Sequence, residues 1–280
     1  MKIAIGLPNA VPGTSGADLV EWSRRAEAAG FSSLGTIDRI AYGNYEPTIA
    51  LAAAAAVTER IGLATTVLLG PLRPNAAELA KRALSIDALS GGRFTLGIGI
   101  GGRDDDYEAS GIETKRRGAT LEAMLAAIRE VWESERIGPE ASPGLLVGGG
   151  VEQSFERAAR YGDGWIAGGS GPDVFADSAA KVGEAWAAAG RDGSPRLAGL
   201  AYFSMGESAE AQASRYLGDY YAWLGEDLSA MIADSAAKDA ETVSGYLSAY
   251  EAAGCDELFF FPSSSDPEQV DLLAAAAGLG

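Results

Sequence analysis

Eight short apolar, β-rich runs alternate along this chain with longer segments of helical pattern. The runs are Lys2–Leu7, Leu34–Ile37, Ile61–Leu69, Phe94–Ile98, Leu145–Val147, Trp165–Ala167, Arg196–Phe203 and Glu257–Phe261. Such alternation specifies a parallel sheet with helical crossovers. At 280 residues the economical closure is an α/β fold of the (β/α)8 TIM-barrel type, one domain over residues 1–280. An open doubly wound sheet is the alternative.

Punctuation between the runs supports the helices. The pattern from Asp18 to Ala29 stops at Gly30, Pro47 stands where a first helical turn tolerates proline, and Ala76–Leu89 stops at Gly91-Gly92. Within that last segment Leu79, Ala83, Ile86 and Leu89 recur at near-helical spacing, while Glu78, Lys81 and Arg82 supply a wet face. Further helices are expected over Arg117–Trp132, Gln153–Arg160, Asp173–Ala189, Ala209–Leu224, Asp239–Ala253 and Pro267–Ala277. The longest connection, Ser204–Asp256, holds an extra helical piece around Leu228–Ala233, read as a lid or a subunit contact.

Composition removes whole classes of chemistry. The chain has no histidine, which excludes Ser-His-Asp and Cys-His catalysis and the common His-bearing zinc sites. Its single cysteine, Cys255, allows no internal disulfide and reads as structural. A formal charge of −17, with 22 Lys and Arg against 39 acids, argues against a nucleic-acid partner. No apolar run is long enough for a membrane span, and "MKIAIGLPNA" reads as a first strand, so a cytoplasmic location is expected.

The stretch "LGIGIGGRDDDY" (Leu96–Tyr107) contains a formal G-x-G-x-x-G at Gly97, Gly99 and Gly102. A dinucleotide fingerprint needs a helix N-terminus immediately after the turn. Here Arg103 and three aspartates follow, and those carboxylates would repel a pyrophosphate. The aspartates diverge too much to hold a metal and read as a helical turn capped by Asp104 or Asp105. Bare backbone at the C-terminal end of a barrel strand is instead a wall against which a flat ligand can lie. Gly148-Gly149-Gly150 and Gly168-Gly169-Ser170-Gly171 strip two further strand ends, and Val151–Ser154 opens a helix whose N–H groups suit a phosphate.

Three segments carry a resemblance: Arg24–Arg39, "ERIGLATTVLLGPLRPNAAELAKRALSIDALSGGRFTLGIGIGG" (Glu59–Gly102) and "LLVGGGVEQSFERAARYGDGWI" (Leu145–Ile166). The chain resembles the luciferase-like flavin-dependent oxidoreductases, which include bacterial luciferase, flavin monooxygenases and F420-dependent dehydrogenases and reductases. The resemblance implies a (β/α)8 barrel with an FMN or F420 ring at its C-terminal mouth. It places a third-strand bulge, often a non-prolyl cis peptide, at Thr66–Val67, and a phosphate grip at Gly149, Gly150, Val151 and Ser154. It sets Gly99, Gly101 and Gly102 beside the ring or its side chain, and Asn9 and Asp38 as polar contacts. A homodimer is expected by the same analogy.

Two departures stand out. Many relatives have Asp-His where this chain has Asp38-Arg39, replacing an imidazole with a permanent cation. Arg39 would either stabilise charge on a reduced ring or pair with Asp38 or a helix acid. Pro74-Asn75 stands where many relatives have His-Pro. The implied activity is oxygenation, reduction or dehydrogenation of a small organic substrate, with Asp38 and Arg39 as catalytic candidates and Tyr42 as a proton handler. The alternative is a non-catalytic flavin- or small-ligand-binding barrel; an unrelated phosphate-binding lyase is disfavoured because no lysine ends a strand. Tyr202, Phe203 and Phe261 suggest an apolar pocket, with core packing an equal explanation.

Overall fold

A computed structural model describes residues 1–134 and 136–280. The strands are β1 (Lys2–Gly6), β2 (Ser33–Thr36), β3 (Gly62–Thr65), β4 (Leu68–Leu69), β5 (Phe94–Gly99), β6 (Gly144–Gly148), β7 (Gly164–Ile166), β8 (Arg196–Phe203) and β9 (Glu257–Pro262). All pair in parallel, β1 joins both β2 and β9, and β5 joins both halves of the third stave, so the sheet closes into an eight-staved barrel. The open-sheet alternative is thereby excluded.

The surrounding helices are α1 (Gly16–Ala28), α2 (Pro47–Ala55), α3 (Ala76–Ser90), α4 (Asp104–Ala109), α5 (Arg117–Glu133), α6 (Glu152–Tyr161), α7 (Pro172–Ala188), α8 (Ala209–Tyr220), α9 (Glu226–Asp234), α10 (Ala240–Ala252) and α11 (Glu268–Ala276). Local chemistry fixes their starts. Ser15 and Asp18 form a reciprocal cap on α1, and the Asn75 side chain accepts from Glu78 N to start α3. Asn75, a departure from the family pattern, is therefore a helix cap.

Strand alternation divides the core. In β9, Leu258 and Phe260 face the helices, while Phe259 and Phe261 fill the barrel interior. The ring of Phe261 needs the missing side chain of Gly6, where a Cβ would come within 2.2 Å of it. Phe203 packs on the helix side and Phe261 inside, so both are core; Tyr202 alone of that trio reaches the pocket described below. Among the described residues, no helix is long and apolar enough to cross a membrane.

Candidate active site at the barrel mouth

The third stave is not the single strand Ile61–Leu69 that the sequence predicts. It breaks into β3 and β4, and four steps from Ala64 to Leu68 run beside only three from Thr95 to Ile98, which is a bulge. At its apex the Thr66–Val67 peptide is cis. Thr66 N donates to Thr36 O at 2.9 Å, and Thr65 Oγ1 donates to Gly97 O at 2.6 Å, so neighbouring staves hold both sides of the bulge.

This bulge explains part of the glycine run. A Cβ on Gly97 would lie 2.0 Å from Thr65 O, and one on Gly99 or Gly148 would lie 2.8 Å from a Val67 methyl. Gly99 therefore makes room for Val67, and it lies outside the pocket lining. Gly101 and Gly102 do line the mouth; Gly101 has φ +76°, a left-handed conformation that favours glycine.

The mouth is a pocket of about 210 Å³. Its floor is Ile37, Thr66, Val67, Gly101, Gly102, Gly168 and Gly169. Its wall carries Arg39, Arg103, Tyr202, Tyr220, Tyr221 and Trp223. A Cβ at Gly168 would meet nothing within 4 Å, and one at Gly102 only the Trp223 ring at 3.7 Å, so open space lies over the floor. That floor fits a flat group pressed against backbone.

Two ion pairs frame the pocket. Buried Asp38 accepts from Leu69 N at 2.7 Å and from both Arg73 terminal nitrogens at 2.6 and 3.0 Å. Burial raises its pKa above the ordinary carboxylate value, and Arg73 only partly opposes this. Arg39 turns away from Asp38. Its Nε donates to Asp106 at 2.7 Å and its Nη2 to Asp105 at 2.6 Å, while the other Asp106 oxygen accepts from Ile40 N and Ala41 N. The helix-acid reading of Arg39 is thus the one observed. The expected cap is corrected in turn: α4 begins at Asp104 with Arg103 before it, and its first-turn carboxylates grip Arg39.

Other candidates fall elsewhere. Asn9 is buried, with its amide donating to Ile37 O and Tyr45 O and accepting from Ile37 N. It braces the loops after β1 and β2 and lies outside the pocket lining. Tyr42 donates to Asp219 at 2.9 Å and lies outside the pocket lining; burial and that carboxylate push its pKa up to about 12. The Tyr202 and Tyr221 hydroxyls instead share a hydrogen bond of 2.6 Å at the wall. Cys255 is buried off the site, its thiol pushed up to about 12 by burial.

Gly149, Gly150, Val151 and Ser154 come together at the start of α6, outside the pocket lining. Gly149 has φ +142°, and a Cβ there would meet Ser154 Cβ at 2.6 Å. Ser154 Oγ accepts from Val151 N and donates to Val151 O, so its proton stays within the turn. The N–H groups of Glu152 and Gln153 have no protein acceptor among the described residues, and these suit an anion.

Sequence reasoning missed the wall. Tyr220, Tyr221 and Trp223 sit on the extra segment between β8 and β9, where α8 and α9 pack together and Phe203 bridges to Ala237. The aromatic run "YYAW" (Tyr220–Trp223) was the available signal.

A closed barrel whose C-terminal mouth presents a bulged backbone floor under an aromatic wall defines a protein built to hold a planar ligand. The profile of the luciferase-like monooxygenase family matches residues 1–254, and the chain belongs to that family. It is 36% identical over 173 residues to an uncharacterized protein of Mycobacterium tuberculosis, covering 55% of this chain and 61% of that protein. It is 30% identical over 186 residues to an F420-dependent glucose-6-phosphate dehydrogenase of Amycolatopsis mediterranei, covering 57% of this chain and 56% of the relative. The chain thus spans about six tenths of the length of the curated relatives it matches. Its fold is that of an F420-dependent secondary alcohol dehydrogenase solved with an F420-acetone adduct, at a TM-score of 0.83, 19% identity and 99% coverage of both chains.

Proposed function

We propose that this chain is an oxidoreductase that holds F420 or reduced FMN at the barrel mouth and acts on a small organic substrate. The observation that carries the reading is the backbone floor at Thr66–Val67, kept clear by glycines and roofed by aromatic side chains. When bound, the cofactor supplies a hydride or, as reduced flavin, electrons for oxygen activation. In this reading Val67 and Thr66 support one face of the ring, Gly101 and Gly102 admit its edge, and the start of α6 at Gly149–Ser154 holds a phosphate. Asp38 with Arg73, and Arg39 with Asp105 and Asp106, fix the loops that shape the mouth. The Tyr202–Tyr221 pair supplies hydroxyls at the pocket wall.

The matched F420 enzyme supports the deazaflavin, and the family's monooxygenase description supports the flavin. A single domain over residues 1–280, a homodimer and a cytoplasmic, nucleic-acid-free setting belong to the same proposal; the charge of −17 supports the last of these. The test is a parallel titration with FMN and F420, oxidised and anaerobically reduced, followed by turnover with candidate substrates. Tight F420 binding with turnover of alcohols or enones supports hydride transfer. Preference for reduced FMN with oxygen uptake supports oxygenation. Cofactor binding without turnover of any substrate favours the binding-only barrel, and binding of neither overturns the proposal.

A further inference from the structure

Arg103 is the one pocket-lining cation that the ion pairs leave uncompensated. Arg39 is neutralised by Asp105 and Asp106, and Asp38 by Arg73. Among the described residues no carboxylate oxygen comes within 4.0 Å of an Arg103 nitrogen. This is notable in a chain with 39 acids. What holds the side chain is aromatic: its guanidinium carbon lies 4.3 Å from the Tyr220 ring centroid, 5.1 Å from Trp223 and 5.6 Å from Tyr221. One terminal nitrogen, Nη2, donates to Tyr220 O at the end of α8. Nε and Nη1 have no acceptor among the described residues.

Guanidinium faces stack on aromatic rings, whereas its edge donates in a planar fork matched to a carboxylate. With its orientation set by the three rings, Arg103 keeps donors free at the pocket wall. The rest of that wall is tyrosine and tryptophan, which suits a flat apolar body. Asp38 and Asp106 also line the pocket, and each is already engaged by another arginine, so neither competes for the Arg103 edge. A planar carboxylate matches the fork of that free edge, and the aromatic wall suits an apolar body behind it.

We infer that Arg103 is a specificity-determining residue and that the second reactant is an organic carboxylate with a flat or unsaturated apolar body, bound by the Arg103 edge under Tyr220, Tyr221 and Trp223. This deepens the proposed function and rests on it for the word reactant; the anion site itself does not need the cofactor. Hydrogen bonds to a charged group in such a site are worth roughly 1.5–3 kcal/mol, which converts to about a ten- to hundredfold preference over a neutral isostere.

The test is calorimetric titration of benzoate, cinnamate and octanoate, each against its own amide, into wild type, Arg103→Met and Arg103→Lys, with FMN and F420 titrated in parallel and melting temperature recorded. Benzoate or cinnamate is expected to bind wild type tenfold or more tighter than its amide, with the preference weakening as salt rises. Octanoate, saturated and flexible, is expected to bind more weakly than they do; octanoate binding best overturns the flat body. In Arg103→Met the acid and amide converge while cofactor affinity holds, and Arg103→Lys retains part of the preference. Equal or absent binding of every acid and amide to wild type overturns the inference. So does loss of FMN or F420 affinity in Arg103→Met with the acid preference intact, because Arg103 then serves the cofactor. Failure of the cofactor reading shows differently, as wild type that binds neither cofactor yet discriminates acid from amide. A variant that only melts earlier without losing discrimination shows Arg103 to be a strut for α8, and that also overturns it.

Discussion

At Gly97 the space for a side chain is already occupied by a backbone carbonyl, whereas at Gly99 it is occupied by a methyl that can rotate. A Cβ at 2.0 Å from Thr65 O has nowhere to go without moving the stave, while one at 2.8 Å from Val67 Cγ2 meets a side chain. We expect Gly97→Ala to cost more than about 3 kcal/mol, or to prevent folding, as overpacking against rigid neighbours does. Gly99→Ala should cost about 1–3 kcal/mol by the same mechanism and should weaken FMN or F420 binding by displacing Val67. Urea midpoints and cofactor titrations on the two variants check the order; equal stability would show the bulge to be soft. The same pair marks the boundary of what the sequence disclosed. The run announced that backbone had to be bare, but Gly99 serves Val67 across the sheet while Gly101 serves the mouth, and that distinction depends on a third-strand bulge that strand pattern alone does not draw.

Asp38 carries a pH signature. Burial raises its pKa above the ordinary carboxylate value, so between that value and its folded one the native state holds more protons than the unfolded chain. Its contribution to stability is therefore full below the ordinary value and falls as pH rises through the window, then stays constant. Asp38→Asn removes the titration, so its stability relative to wild type should rise with pH across that window. Denaturant midpoints at a series of pH values check the sign, and a relative stability that falls instead would place Asp38 with ordinary ion-paired carboxylates.

On the scale of elements, the mouth depends on contacts between loops that the sequence separates widely. The short helix α4 has a first turn of three aspartates, and two of them reach back 66 or 67 positions to Arg39 after β2. Asp106 is almost wholly buried, so removal of its cation leaves a carboxylate held by Ile40 N and Ala41 N alone. Arg39→Met is expected to destabilise the protein by about 3–5 kcal/mol, the usual cost of unpairing a buried charge. Arg39→Met with Asp106→Asn should recover part of that loss in a double-mutant cycle, whereas additive losses would show the pair to be uncoupled. Strand and helix positions were legible because period and glycine punctuation are local: β8 runs over the predicted Arg196–Phe203, and α5 starts at the predicted Arg117. Partner choice was not, because Arg39 faced candidate acids in both Asp38 and a helix, and only the closed barrel brings α4 rather than Asp38 to it. The wall at Tyr220–Trp223 escaped for a similar reason, since an aromatic run on an inserted segment carries no address until the chain closes.

For the whole molecule, the decisive quantity is the charge of −17 spread over a closed shell. The barrel interior is filled by uncharged side chains such as Phe259 and Phe261, and Glu257 at its lower end is paired with Arg196 and two serine hydroxyls, Ser32 and Ser33. Most of the excess acid therefore lies on the exposed helices and loops, where Asp177, Glu184, Glu207 and Glu241 all face solvent. Like charges on one compact body repel, and the unfolded chain relieves that repulsion by expanding. Raising NaCl from roughly 20 mM to 500 mM shortens the screening length from about 20 Å to about 4 Å, which removes the long-range part. Stability at pH 7 should then rise by about 1 kcal/mol, seen as a melting temperature higher by about 2–4 °C. Choline chloride at equal ionic strength should give the same gain, because screening depends on charge and concentration rather than on the cation. A melting temperature that falls with salt would mean that the surface ion pairs, such as Arg25 with Glu21 and Asp271, contribute more than the net repulsion takes away.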